Sequence, residues 1–72
     1  MSEKRLIVVD DNLEMSKIVQ RVATQLGYEA ISIRHGYDFM QEYDEFDPDV
    51  VMLDMVMPDI DGIELVYWLK DK

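Results

Sequence analysis

Arg5-Leu6-Ile7-Val8-Val9-Asp10 is a short apolar run, rich in β-branched residues and closed by an acid. A run that is apolar at consecutive positions, not alternate ones, reads as a strand covered on both faces, the condition of a parallel sheet. Working outward, Val50-Val51-Met52-Leu53 repeats the pattern and also ends in an acid, Asp54. Between the two runs the period changes. In the stretch Glu14 to Leu26, residues Met15, Ile18, Val19, Val22, Ala23 and Leu26 form one apolar face of a helix. Asn12 suits the N-cap, and Gly27 suits the left-handed residue that ends a helix.

Tyr28 to Ile33 reads as a further strand. Gly36 opens a second helical stretch with Phe39, Met40, Tyr43 and Phe46 on its apolar face. Asp47-Pro48 closes it, because the residue before a proline avoids the helical region. After a loop from Met55 to Ile60 that contains Pro58, Asp61 to Asp71 reads as a last helix, with Leu65, Val66 and Leu69 facing inward. The order is βαβαβα, without an internal linker or repeat, so residues 1–72 form one α/β unit built on an open parallel sheet.

Composition narrows the function. The chain has 72 residues, 49% hydrophobic and 32% charged. A domain this small buries only about 60% of its unfolded surface, so marginal stability is expected. With no Cys, disulfides, thiolate metal sites and a cysteine nucleophile are excluded, and a reducing compartment fits. No apolar stretch approaches the ~20 residues of a membrane span or the pattern of a signal peptide. The expectation is a cytoplasmic protein that does not enter a membrane. A formal net charge of −9 argues against direct nucleic-acid binding, which needs clustered Lys and Arg. Charge alone favours plain solubility over a basic partner.

The acids at the strand ends carry more information. Taking the order 2-1-3 of flavodoxin-like sheets as a premise, right-handed crossovers put the helices on opposite faces and make strands one and three the switch point. Asp10, Asp11 and Asp54 then share one sheet edge. At ~5 Å and an effective dielectric of 20, each pair of carboxylates repels by about 3 kcal/mol. A hard divalent cation such as Mg²⁺ offsets this repulsion, and protonation of one carboxyl is the alternative. Each aspartate taken singly reads as a helix cap, but a doublet and a third acid at one edge favour a cation site.

These residues also carry a resemblance. Val8-Val9-Asp10-Asp11-Asn12, then Val51-Met52-Leu53-Asp54-Met55-Val56-Met57-Pro58, then Asp61-Gly62 resemble the receiver domain of two-component response regulators over essentially the whole chain. The resemblance implies a phosphoacceptor signalling module that takes part in its own Mg²⁺-dependent aspartyl phosphorylation and is not otherwise an enzyme. It implies that Asp54 accepts the phosphoryl group. Asp11 and Asp54 ligate Mg²⁺ directly, Asp10 acts mainly through water, and the backbone carbonyl of Val56 is a further ligand. The Val56 side chain lies beside the phosphoryl site, and Pro58 and Gly62 shape the loop entering the last helix. The implied partner is a sensor histidine kinase or a phosphotransfer protein.

A complete receiver has five strands and five helices, with a Ser or Thr after the fourth strand and a Lys after the fifth. The expectation here is a receiver truncated after its third helix, in which Lys70 and Lys72 do not replace that lysine. Its third strand is an exposed edge, completed by a homodimer or by a missing C-terminal half. The alternative function is a non-catalytic, receiver-like assembly module acting through dimerisation. An acidic-site hydrolase is weaker, since no second catalytic constellation is visible. His35 reads as an ordinary loop residue, the methionines as packing, and the acidic run from Glu42 to Asp49 as a solvated helix end. One of Tyr67 and Trp68 must point away from the core. No phosphate-binding glycine loop or nucleophile elbow is present.

Overall fold

The computed structural model describes residues 4–54 and 62–72. Three strands, β1 (Lys4–Val9), β2 (Tyr28–Ile33) and β3 (Val50–Leu53), alternate with three helices, α1 (Leu13–Gln25), α2 (Gly36–Phe46) and α3 (Gly62–Lys70). The sheet is parallel, in the order β2-β1-β3, the arrangement expected from the alternation and the premise of a flavodoxin-like sheet. β1 is central and pairs on both sides. Leu6 lies opposite Ala30 and Val50, and Val9 lies opposite Ile33 and Leu53. The three strands therefore finish level with one another.

Alternation along β1 divides the core. Ile7 and Val9 face one side and pack with Ile33, Phe39 and Leu65, joined by half-buried Val51, Leu53, Met40 and Trp68. Leu6 and Val8 face the other side and meet Ala23, with Val19, Tyr28 and Ala30 at the margin. The first side holds α2 and α3; the second holds α1.

On the α2/α3 side, three rings lock the helices together. Phe39, Tyr43 and Trp68 meet edge to face, with centroids 5.6, 5.8 and 5.5 Å apart for the pairs Phe39–Tyr43, Phe39–Trp68 and Tyr43–Trp68. This geometry places ring edges against ring faces, the favoured arrangement for aromatic quadrupoles. Tyr67 points outward at 66% exposure, so the division expected of the Tyr67-Trp68 pair is the one found. Val66 does not face inward as expected; it is exposed, while Leu65, Trp68 and Leu69 turn toward the core.

The apolar face read for α1 is also only partly used. Ala23 is buried and Val19 partly so, but Met15, Ile18, Val22 and Leu26 are exposed. The sheet on this side reaches only as far as β3, where Val50 and Met52 are exposed as well. Met15 and Met52 thus depart from the expectation that methionines serve packing. Polar bonds supplement the contact: the Gln20 side-chain amide donates to the Ala30 carbonyl at 2.8 Å.

Helix α2 ends at Phe46, where the proline rule places its end. Asp47 adopts the left-handed conformation (φ 53°) and its N–H returns to the Tyr43 carbonyl at 2.9 Å. Arg5 fastens this corner. It donates to the Phe46 carbonyl, pairs with Glu29 at 3.1 Å and stacks over the Phe46 ring. Its backbone N–H donates to the Asp49 carboxylate and its carbonyl accepts the Asp49 N–H, each at 2.8 Å.

Candidate metal centre at the carboxyl edge of the sheet

The level strand ends set the acids side by side. Asp10 continues the ladder by one residue, its N–H donating to the Ile33 carbonyl at 3.0 Å. Asp54 does the same on the other side, donating to the Val9 carbonyl at 2.8 Å. Both side chains are thereby aimed from neighbouring strands at the switch point, with Asp11 one residue beyond.

The turn after β1 is built from polar side chains. The Asp10 carboxylate accepts the Asn12 N–H at 2.9 Å, and the Asn12 side chain accepts the Met15 N–H at 3.1 Å. Asn12 is thus the N-cap of α1, as its position in the sequence suggests. One side-chain bond turns the chain and the next starts the helix.

One carboxylate oxygen from each of Asp10, Asp11 and Asp54 lies within 4.8 Å of the others. Asp10 and Asp54 are half-buried and Asp11 is exposed. Met15, Val19, Met52 and Leu53 line the apolar floor below them. Every donor is a hard oxygen, and the spacing is that of a group that can hold one cation, directly or through water. Mg²⁺ takes such ligands and keeps waters at its remaining positions, so the residues fit that ion.

Among the described residues no other group of His, Asp and Glu has metal-binding spacing. His35 is exposed at the N-cap position of α2, without a side-chain capping bond. In the acidic run from Glu42 to Asp49, Asp44 pairs with Lys72 at 3.2 Å, in keeping with a solvated helix end. Val56, Pro58 and Asp61 lie outside the described residues, so the carbonyl ligand expected at Val56 has no geometry here. Sequence reasoning overlooked Ser16. A small polar residue on the sheet-facing side of an otherwise apolar helix was the signal that could have found it.

A parallel sheet with helices on both faces and three carboxylates at its switch point defines the class of doubly wound α/β domains. The response regulator receiver domain family matches residues 6–72, and the chain belongs to that family, whose members are the receivers of two-component systems. Among curated relatives, the polar-differentiation response regulator DivK of Brucella anthropi is 32% identical over 68 residues, which cover 94% of this chain and 55% of that protein. The chain therefore spans about half the length of the curated relatives it matches. A CheY-like receiver domain from Methylobacillus flagellatus shares the fold, with a TM-score of 0.91 and 24% identity over 99% of this chain and 60% of that one. The Thermotoga maritima response regulator TrrA, solved in complex with Mg²⁺ and beryllofluoride, gives a TM-score of 0.89 at 28% identity, over 94% of this chain and 59% of that one. No described helix is long and apolar enough to cross a membrane.

Proposed function

We propose that residues 1–72 act as one receiver unit in which Asp54 accepts a phosphoryl group, with Asp10, Asp11 and Asp54 holding Mg²⁺. The supporting observation is the approach of three carboxylates to within 4.8 Å at the switch point of the sheet. The backbone carbonyl of Val56 is the further ligand in this reading. The phosphoryl donor is a phosphohistidine on a sensor kinase or phosphotransfer protein, and the setting is cytoplasmic.

In the reaction, an Asp54 oxygen attacks phosphorus in line. A new O–P bond forms, and the donor's P–N bond breaks with its electron pair leaving on the nitrogen. Asp54 is fixed for this by its N–H bond to the Val9 carbonyl. Asp10, turned by the Asn12 N–H, and Asp11 bring the remaining negative charge to the same point. A cation held by Asp10, Asp11 and Asp54 would supply the positive charge that lets carboxylate and phosphoryl oxygens approach. The protein positions and does no further covalent chemistry.

Incubation with acetyl phosphate or beryllofluoride and Mg²⁺, followed by mass spectrometry, tests the assignment. Label is expected on Asp54, lost in Asp54→Asn and reduced in Asp10→Asn. Undiminished labelling of Asp54→Asn overturns it.

The exposed Val50 and Met52 on β3, facing the same side as exposed Ile18 and Val22 of α1, favour a second reading. Here the unit is an assembly module whose third strands pair antiparallel about a two-fold axis. Sedimentation separates the two: a dimer that forms without Mg²⁺ and takes no label supports assembly, and a labelled monomer removes it.

A further inference from the structure

The turn that carries Asp11 is closed by the Asn12 N–H on the Asp10 carboxylate and by the Ser16 N–H on the Asn12 carbonyl at 3.0 Å, and a buried hydroxyl backs it from behind. Ser16 is wholly enclosed, at 0% exposure, between exposed Met15 and Lys17. Its Oγ donates toward the Asn12 carbonyl at 3.1 Å and the Asp10 carbonyl at 3.4 Å. Those two carbonyls stand on either side of Asp11 in the chain. A hydroxyl carries one hydrogen, so the bond is shared, with its shorter arm on Asn12.

We propose that Ser16 is a positioning residue for Asp11, fixing the backbone on both sides of it so that its exposed carboxylate stays within reach of Asp10 and Asp54. The inference rests on the Mg²⁺ site proposed above. Asp10 is oriented through its own side chain, by the Asn12 N–H. Asp54 is anchored through its N–H on β1. For Asp11, the Ser16 bonds to its two neighbours supply the corresponding constraint.

A serine in a helix often bonds the carbonyl four residues back with no functional meaning. Thr24, on the same helix, does so with the Gln20 carbonyl at 2.9 Å and is exposed. Ser16 differs in being enclosed and in reaching past the helix to Asp10, six residues earlier. Thr24 therefore serves as the internal control.

The test is calorimetric titration of the full chain with Mg²⁺ alone, with circular dichroism confirming the folded state. Ser16→Ala is expected to weaken Mg²⁺ binding about fivefold, the equivalent of ~1 kcal/mol for one neutral hydrogen bond. Ser16→Cys, a weaker donor of similar size, should fall between Ser16→Ala and the parent. Thr24→Ala should bind as the parent does. If Asp11→Asn weakens binding and folded Ser16→Ala does not, the positioning role is wrong and the metal site stands. Parental affinity in Asp11→Asn overturns the metal site and with it this inference. Failure of both Ser16 variants to fold also overturns the inference, because the hydroxyl is then required for the fold itself.

Discussion

The two sides of the sheet are filled very differently. Toward α2 and α3, Ile7, Val9, Phe39 and Leu65 have no exposed surface at all. Toward α1, Leu6, Val8 and Ala23 are buried, but an apolar stripe of Met15, Ile18 and Val22 beside them lies open. β3 records the contrast within four residues. Val51 and Leu53 pack against the first core, whereas Val50 and Met52 are exposed on the other side. The packed side supplies most of the apolar burial that stabilises the fold. The open side carries the helix that follows Asp10 and Asp11, and there the Gln20 bond to Ala30 adds to the apolar contact.

The largest expected effect lies on the packed side. Phe39→Ala removes the ring at the centre of the aromatic trio and should cost about 3–5 kcal/mol, from lost transfer energy plus a cavity. For a chain this small that should abolish cooperative unfolding, as followed by circular dichroism in urea. A loss below ~1 kcal/mol, the scale of an ordinary point substitution, would show that the two sides are more alike than their burial suggests.

A smaller effect belongs to the acid edge, which both sides share. Mg²⁺ at 100 times its Kd should add about 2.7 kcal/mol to the stability of the chain. For a domain of this size that raises the melting temperature by several degrees or more, with Asp11→Asn as the control. An unchanged melting temperature in millimolar Mg²⁺ would remove the metal site.

The smallest effect belongs to the open stripe. Ile18→Ser on the exposed part of α1 should change stability by about 0.5 kcal/mol or less, as surface substitutions usually do. A cost several times larger in a concentration-dependent melt would mean that the stripe is covered by another copy in solution.

Much of this arrangement is legible in the sequence, and the exceptions have one cause. The apolar runs at Arg5 to Asp10 and Val50 to Leu53 announce buried parallel strands, and their closing acids mark the site edge. Asn12 and Pro48 announce the start of one helix and the end of another. The strand order was a premise, because alternation fixes neither neighbour of β1. Helical period shows which α1 residues share a face, but not how wide a surface they meet. That is why four of the six expected apolar contacts are exposed while Ser16 is enclosed. Val66 failed for the same reason: α3 is short, and a narrow line through Leu65, Trp68 and Leu69 meets the core.

The aromatic trio also gives the molecule its own optical reporter. Trp68 is the one tryptophan of the chain. It sits half-buried against Phe39 and Tyr43, with the Lys72 ammonium 4.5 Å from its ring. Light absorbed by Tyr43 passes to a neighbour this near, and the emission colour of Trp68 follows the wetness of its surroundings. Trp68 emission therefore reads whether α3 is seated on α2.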